Sequence, residues 1–289
     1  MPANVQADVS VPREVQPWCY GTEVEKFHTR LLRVSLALEE SRSYWDQLQP
    51  ETPKLGRADI AFAGRWFGSK SSARVKRLLA EFGHRYDAYP AALAVLLAWQ
   101  PSDPSVRQNI CHWHLQLSDP MYRAFSADFL EQRRSQSVAA TIDRDSVARW
   151  VSHNLEAEWA SATVLRMATA LITCATAAGL CKQASRQRVL LYPQVTDVAL
   201  AYWLYFLRGL RFEGSLLSNP YFASVGLSDR GLEERLAHLP GLRFSRMGDV
   251  YEFDWRYDGL QAWAAGELTL RDSLALQNSL AERTKQVSV

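Results

Sequence analysis

The stretch Arg65–Tyr86, RWFGSKSSARVKRLLAEFGHRY, contains a short apolar segment, a Gly68-Ser69 turn and a basic amphipathic helix. Gly68 permits the left-handed conformation that closes a helix, and Ser69 or Ser71 can cap the next one. At 100° per residue, the cationic and apolar side chains of this next helix fall on separate stripes. The pattern is typical of a helix-turn-helix whose second helix contacts nucleic acid.

The two stripes of the predicted helix have different expected roles. The apolar side chains would hold the helix on the preceding one, and the outward-facing cationic side chains would reach phosphates and base edges. The apolar stripe consists of Val75, Leu78, Leu79 and Phe82, and the cationic line consists of Lys70, Arg74, Arg77 and Glu81. A solvated amphipathic helix without a ligand is the alternative, and the sequence leaves both open.

The positive charge of this region is local. Between Arg57 and Tyr86 there are seven Lys/Arg and two Asp/Glu, a difference of five, whereas the whole chain of 289 residues has a formal net charge of +2. A chain that binds polyanions over its whole surface would be more basic throughout. We therefore expect a small basic face on a nearly neutral protein.

Composition predicts a globular, mainly α protein with two domains. A chain of 289 residues is too long for one small core, and a hydrophobic content of 47% supplies enough apolar side chains for a full core. The polar, aperiodic segment 133–141 is the expected boundary. The predicted units are a flexible N-terminal arm over 1–20, a helical domain with the helix-turn-helix over 21–137, a helical domain with two β-hairpins over 138–266, and a C-terminal helix or tail over 267–289.

Hydrophobic periodicity predicts the helices of the first half. Thr22–Gln49 is expected to form one long helix, because apolar residues recur there at spacings of three and four. Asp59–Phe67 is expected to be a short helix with Ile60, Phe62, Ala63 and Phe67 available for burial. Ala91–Gln100 is apolar all round and should be buried throughout. Further helices are expected over Val106–Leu117 and Asp119–Arg134.

The second half contains two predicted hairpins. Two helices, one capped by Asp143 or Asp145 and one terminated by Gly179, precede Leu180–Tyr192, LCKQASRQRVLLY, which is apolar at both ends and basic in the middle. Helix, helix, hairpin is the winged-helix order, with the basic tip as the wing; a plain hairpin packed on helices is the alternative. In Leu242–Tyr257, alternation places Tyr251, Phe253 and Trp255 on one face and acidic residues on the other.

Catalytic motifs are missing from the sequence. There is no phosphate-binding loop, dinucleotide fingerprint, nucleophile elbow or HExxH pair. The Cys111-His112-Trp113-His114 cluster lacks a second pair that would complete a tetrahedral metal site, so packing is the expected role and a metal site the alternative. We therefore expect a non-enzymatic protein with no metal, cofactor or small-molecule substrate.

The cysteines, the first 25 residues and the longest uncharged run all bear on where the protein is located. The four cysteines are scattered and fit reduced thiols in the cytoplasm. The first 25 residues do not have the pattern of a secretory signal, and the uncharged run Met167–Cys181 is shorter than a membrane span. The sequence predicts a cytoplasmic protein without membrane contacts.

Several patches, taken in order, resemble the BrxA proteins of bacterial BREX (bacteriophage exclusion) systems. The patches are Arg74-Val75-Lys76-Arg77, Arg85-Tyr86, Ser218-Asn219-Pro220-Tyr221-Phe222, Val225-Gly226-Leu227 and Phe253-Asp254-Trp255. The resemblance covers about residues 25 to 265. It implies a mostly helical, non-enzymatic, DNA-binding component of a defence island, and it assigns no catalytic residue.

The leading hypothesis is weakly sequence-specific binding of double-stranded DNA by the helix-turn-helix and the first hairpin. The expected contact residues are Arg65, Lys70, Ser71, Arg74, Lys76, Arg77, Lys182, Arg186 and Arg188. One alternative is an adaptor that joins other BREX proteins through the aromatic C-terminal hairpin. Another is an RNA-binding helical protein, since helical bundles with basic faces also bind RNA.

Overall fold

The computed structural model describes residues 20–154, 159–185, 187–248 and 250–268. These residues are mainly helical, as predicted. The helices are α1 (Leu38–Gln47), α2 (Arg57–Ala63), α3 (Ser72–Phe82), α4 (Pro90–Trp99), α5 (Pro104–Ser118), α6 (Pro120–Ala124), α7 (Leu130–Gln136), α8 (Arg144–His153), α9 (Ser161–Ala177), α10 (Asp197–Leu207), α11 (Pro220–Ala223), α12 (Asp229–Leu236) and α13 (Leu260–Trp263). None of these helices is long and apolar enough to cross a membrane.

The described strands form three small sheets. Strand β1 (Gly21–Thr22) pairs in parallel with β5 (Leu210–Arg211). Strands β2 (Thr141–Ile142), β3 (Cys181–Ala184) and β4 (Gln187–Leu190) form an antiparallel sheet in the order β2-β4-β3, and β6 (Leu242–Met247) and β7 (Val250–Trp255) form a hairpin. Both predicted hairpins are confirmed, and β2 adds a third strand that the sequence did not indicate.

The predicted helix Thr22–Gln49 is wrong in its first half. Residues 23–37 contain only a 3₁₀ turn at Arg30–Leu32, and α1 begins at Leu38, after Ala37 in the left-handed conformation. The Arg85 guanidinium donates hydrogen bonds of 2.8 and 3.1 Å to the carbonyls of residues 34 and 36. Tertiary hydrogen bonds thus take the place of helical ones, and the apolar spacing reflects burial of an extended segment.

The turn and the helix cap predicted between α2 and α3 are present. Gly68 has a φ of 70°, in the left-handed region, and the Ser71 hydroxyl accepts the backbone N–H of Arg74 at 3.4 Å. The expected burial of Ile60 and Phe62 is wrong, because they are 44% and 45% exposed. A seven-residue helix buries a single stripe, and α2 uses Ala61 for it.

Helix α5 lies at the centre of the core. It is buried along nearly its whole length, and Trp113 stacks on Trp203 of α10 with ring centroids 5.3 Å apart. The buried side chains of both halves of the chain belong to one cluster. Helix α4 is not buried all round as expected, because Ala94 and Ala98 face solvent.

The Cys-His-Trp-His cluster of α5 has the packing role that the sequence indicated. His114 bonds the Arg85 carbonyl at 3.0 Å and the Tyr202 hydroxyl at 2.8 Å, and His112 bonds hydroxyls of Tyr122 and Ser224, each at 2.9 Å. Burial lowers the pKa of each histidine to about 3. Both imidazoles are therefore neutral links between helices.

The α8–α9 unit follows its sequence signals. Asp143 accepts the backbone N–H of Ser146 at 2.7 Å as the N-cap of α8, and Gly179, with a φ of 73°, follows the end of α9. The chain order is β2, α8, α9, β3, β4. This arrangement places one end of α9 against the three-stranded sheet.

Candidate nucleic-acid interface

Helix α3 buries the apolar stripe that the sequence predicted. Val75, Leu78 and Phe82 are buried, and the helix packs on α2 and continues into a π-helical turn at Gly83–Asp87. The Ser71 cap satisfies a backbone donor at its start. The α3 backbone is thus held at both ends. The side chains outside the apolar stripe therefore extend from a fixed helix.

Part of the predicted outward-facing cationic line of α3 is covered by the chain. Lys70 precedes the helix, and its Nζ lies 3.1 Å from a Glu40 carboxylate oxygen. The Arg74 guanidinium donates a 2.9 Å hydrogen bond to the Arg33 carbonyl, and Glu81 is only 3% exposed. The expectation that this line faces solvent is wrong for Glu81, because the extended segment before α1 runs across it.

Three of the predicted cations in the α3 region remain exposed. Arg65, Lys76 and Arg77 lie on the surface, and the hydrogen bonds and ion pairs among the described residues include none of these side chains. Arg65 adopts a φ of 51° in the turn between α2 and α3. These cations are therefore available to an external anion.

A groove between α3 and α9 collects arginines from separate segments. Its first part, about 560 Å³, is lined by Thr29, Leu32, Arg33, Arg77 and Arg166. An adjoining part of about 340 Å³ is lined by Leu32, Arg144, Leu165, Arg166, Thr169 and Ala170. We name the two parts together the arginine groove; among the described residues, no Asp or Glu lines it.

Sequence reasoning missed three of the four arginines. Arg33 lies within the predicted long helix, and Arg144 lies among other charged residues at a predicted helix start, so neither residue was identified as a contact. Arg166 carried a usable signal, because it is the only charged residue of the 17-residue α9. A lone cation on an otherwise uncharged helix faces water or a ligand, since burial without a partner would be costly.

A buried carboxylate lies behind the groove. The Glu81 Oε1 is 3.8 Å from the Arg33 guanidinium and accepts no hydrogen bond from the described residues. Burial raises the pKa of Glu81, and the guanidinium groups of Arg85, Arg30 and Arg33 act in the opposite direction. The Glu81 carboxylate lies inside the protein and therefore offsets part of the positive charge of these arginines.

The predicted wing residues do not share one face. Lys182 is opposite Val189 in the ladder, and Arg188 is opposite Gln183, so the two cations alternate across the sheet. Arg188 is on the face of buried Leu190, whereas Lys182 is exposed. Arg186 lies outside the described residues.

A second groove elsewhere has mixed charge. It measures about 820 Å³, and its charged lining residues are Glu23, Glu25, Arg123, Asp128, Arg211 and Glu213. Burial, and then the nearby Glu213 carboxylate, raise the pKa of Asp128. With four carboxylates and two guanidinium groups, this groove is less suited to a polyanion than the arginine groove.

Comparison with known proteins identifies the family. A model of the BrxA family matches residues 25–200. The chain belongs to the BrxA family. It is therefore a component of a BREX phage-defence system, and the matched range includes every residue of the arginine groove.

Other comparisons give the fold alone or nothing. An uncharacterized protein from Magnetospirillum magneticum has a similar structure, with a TM-score of 0.52 at 10% sequence identity, covering 64% of this chain and 95% of that chain. No curated protein matches this BrxA sequence.

Proposed function

We propose that this BrxA protein is a non-enzymatic, DNA-binding component of BREX defence, which binds duplex DNA with weak sequence preference. The observation that carries the proposal is the set of exposed cations around α3, Arg65, Lys76 and Arg77, which have no intramolecular partner among the described residues. Uncompensated cations on one small surface bind phosphates by releasing counterions. Few such contacts give modest affinity that falls steeply with salt.

The α8–α9 unit supports the same proposal. The order β2, α8, α9, β3, β4, with β4 in the centre of the sheet, matches the order of a winged helix, in which α9 would be the recognition helix. The β3–β4 hairpin, whose cations alternate across the sheet, would add little to binding. The surface of α9 bears one cation and several Thr residues, so it offers few donors for reading bases. Contacts to the DNA backbone would dominate.

The test is binding of a labelled mixed-sequence duplex by the full chain at several salt concentrations. We expect measurable binding near 50 mM salt and a steep linear decline of log K with log salt. An RNA duplex and a second DNA sequence serve as competitors. Competition by the second DNA, with weaker competition by RNA, supports the proposal; absence of binding at low salt, or preference for RNA, contradicts it.

A protein adaptor is the second candidate, and the tip of the β6–β7 hairpin favours it. Met247 is 83% exposed, and Val250 and Tyr251 are exposed beside it. Trp255 instead packs against Tyr205 and is partly buried. Tyr251→Ser should then reduce co-purification with other BREX proteins without changing DNA affinity; retained co-purification contradicts the adaptor role.

A further inference from the structure

The arginine groove brings together side chains that are far apart in sequence. Arg33 follows the 3₁₀ turn, Arg77 lies on α3, and Arg166 lies on α9. Arg144, at the start of α8, extends the lining into the adjoining part. Leu32 and Arg166 line both parts, so the two parts adjoin each other.

Little negative charge within the protein opposes these arginines. Arg77 and Arg166 take part in no hydrogen bond or ion pair among the described residues. Arg144 is 3.8 Å from the exposed carboxylate of Asp145, and such a surface pair contributes little. Arg33 is 3.8 Å from the buried Glu81, the one carboxylate that lies close to the groove arginines from the protein interior among the described residues. An external anion would relieve the repulsion between neighbouring guanidinium groups.

The chemistry of the lining selects the kind of anion. Guanidinium groups bind phosphate through two parallel N–H donors. The Thr169 hydroxyl already donates to the Leu165 carbonyl at 2.9 Å, so its oxygen is left mainly as an acceptor. Apart from the Thr29 hydroxyl, the donors are therefore permanently charged, and the remaining lining side chains, Leu32, Leu165 and Ala170, are apolar. Such a site favours backbone phosphates over base edges.

We propose that the arginine groove holds successive phosphates of one DNA strand between α3 and α9, with Arg77 and Arg166 as the principal contacts. This assignment rests on the proposed function, and it moves the principal contacts away from Lys70 and Arg74, whose side chains bond the protein itself. Recognition at this site is independent of sequence.

The experiment compares two double charge reversals in the full chain. Arg77→Glu with Arg166→Glu should lower duplex affinity about 30-fold or more, since each removes a phosphate contact and adds a repulsive charge. The control, Arg230→Glu with Arg243→Glu, makes the same change in net charge at exposed cations that do not line the groove. It should change affinity less than threefold.

Neutral variants separate contact from folding. Arg77→Gln with Arg166→Gln should reduce the slope of log K against log salt by about two, because two phosphate contacts are lost, with thermal unfolding unchanged. If the wild type binds no duplex, the proposed function fails and this inference with it. If the wild type binds and the groove variants match the control, the groove assignment alone is overturned.

Discussion

The α3 region and the β3–β4 hairpin are both basic in sequence, but their cations are placed differently. Around α3, Arg77 meets Arg33 and Arg166 in one groove. In the hairpin, Lys182 and Arg188 alternate across the sheet. The comparison teaches that a basic stretch forms a concentrated positive surface only where the fold brings its cations to one face.

The largest expected effect is on the free energy of unfolding, and it comes from the buried arginine beside α3. Arg85→Met should lower the free energy of unfolding by about 3 kcal/mol or more, because the carbonyls of residues 34 and 36 and the Glu81 carboxylate lose a buried cation. Urea denaturation measures the change. Arg188→Met in the hairpin, where the guanidinium makes only a 3.5 Å bond to a neighbouring carbonyl, should change it by less than about 1 kcal/mol. Equal losses would remove the distinction between the regions.

A smaller effect tests the buried carboxylate behind the groove. Burial raises the folded-state pKa of Glu81, so this group favours the folded state most below its unfolded pKa and loses that contribution as the pH rises. Glu81→Gln should therefore become more stable relative to the wild type between pH 4 and pH 8. Urea midpoints across this range measure the trend. Glu252→Gln, which removes an exposed carboxylate from a strand, is the control for the substitution itself. A difference in stability between the wild type and Glu81→Gln that does not change with pH contradicts the assignment.

The smallest effect compares single exposed lysines. Lys76→Glu on α3 should weaken duplex binding about fivefold, because it adds repulsion beside the groove. Lys182→Glu on the hairpin should weaken it less than twofold. Fluorescence anisotropy at low salt resolves the two. A larger loss for Lys182→Glu would restore the hairpin as a main contact.

Structural features that depend on a few neighbouring residues could be predicted from the sequence. The Gly68 turn, the Ser71 and Asp143 caps and the end of α9 at Gly179 follow from local backbone preferences. The first hairpin follows from apolar ends around a polar middle, and the second follows from alternation of apolar and polar residues. These features gave the mainly α fold and the position of α3.

Features that depend on distant segments could not be predicted. The extended course of residues 23–37 requires Arg85, which lies some fifty positions later. The same segment covers Glu81 and places Arg33 beside Arg77 and Arg166. Periodicity within one segment does not show which distant side chains lie together in the fold. The sequence therefore indicated Arg77 but not the other arginines of the groove.

The most direct measurement is photo-crosslinking of the bound duplex from single positions. A photoreactive amino acid at Thr169, which lines the arginine groove, is compared with one at Gln183, exposed on the hairpin. The account predicts salt-sensitive crosslinks to mixed-sequence duplex from Thr169, and far weaker ones from Gln183. Crosslinks from Gln183 with none from Thr169, in variants that retain wild-type affinity, would contradict it.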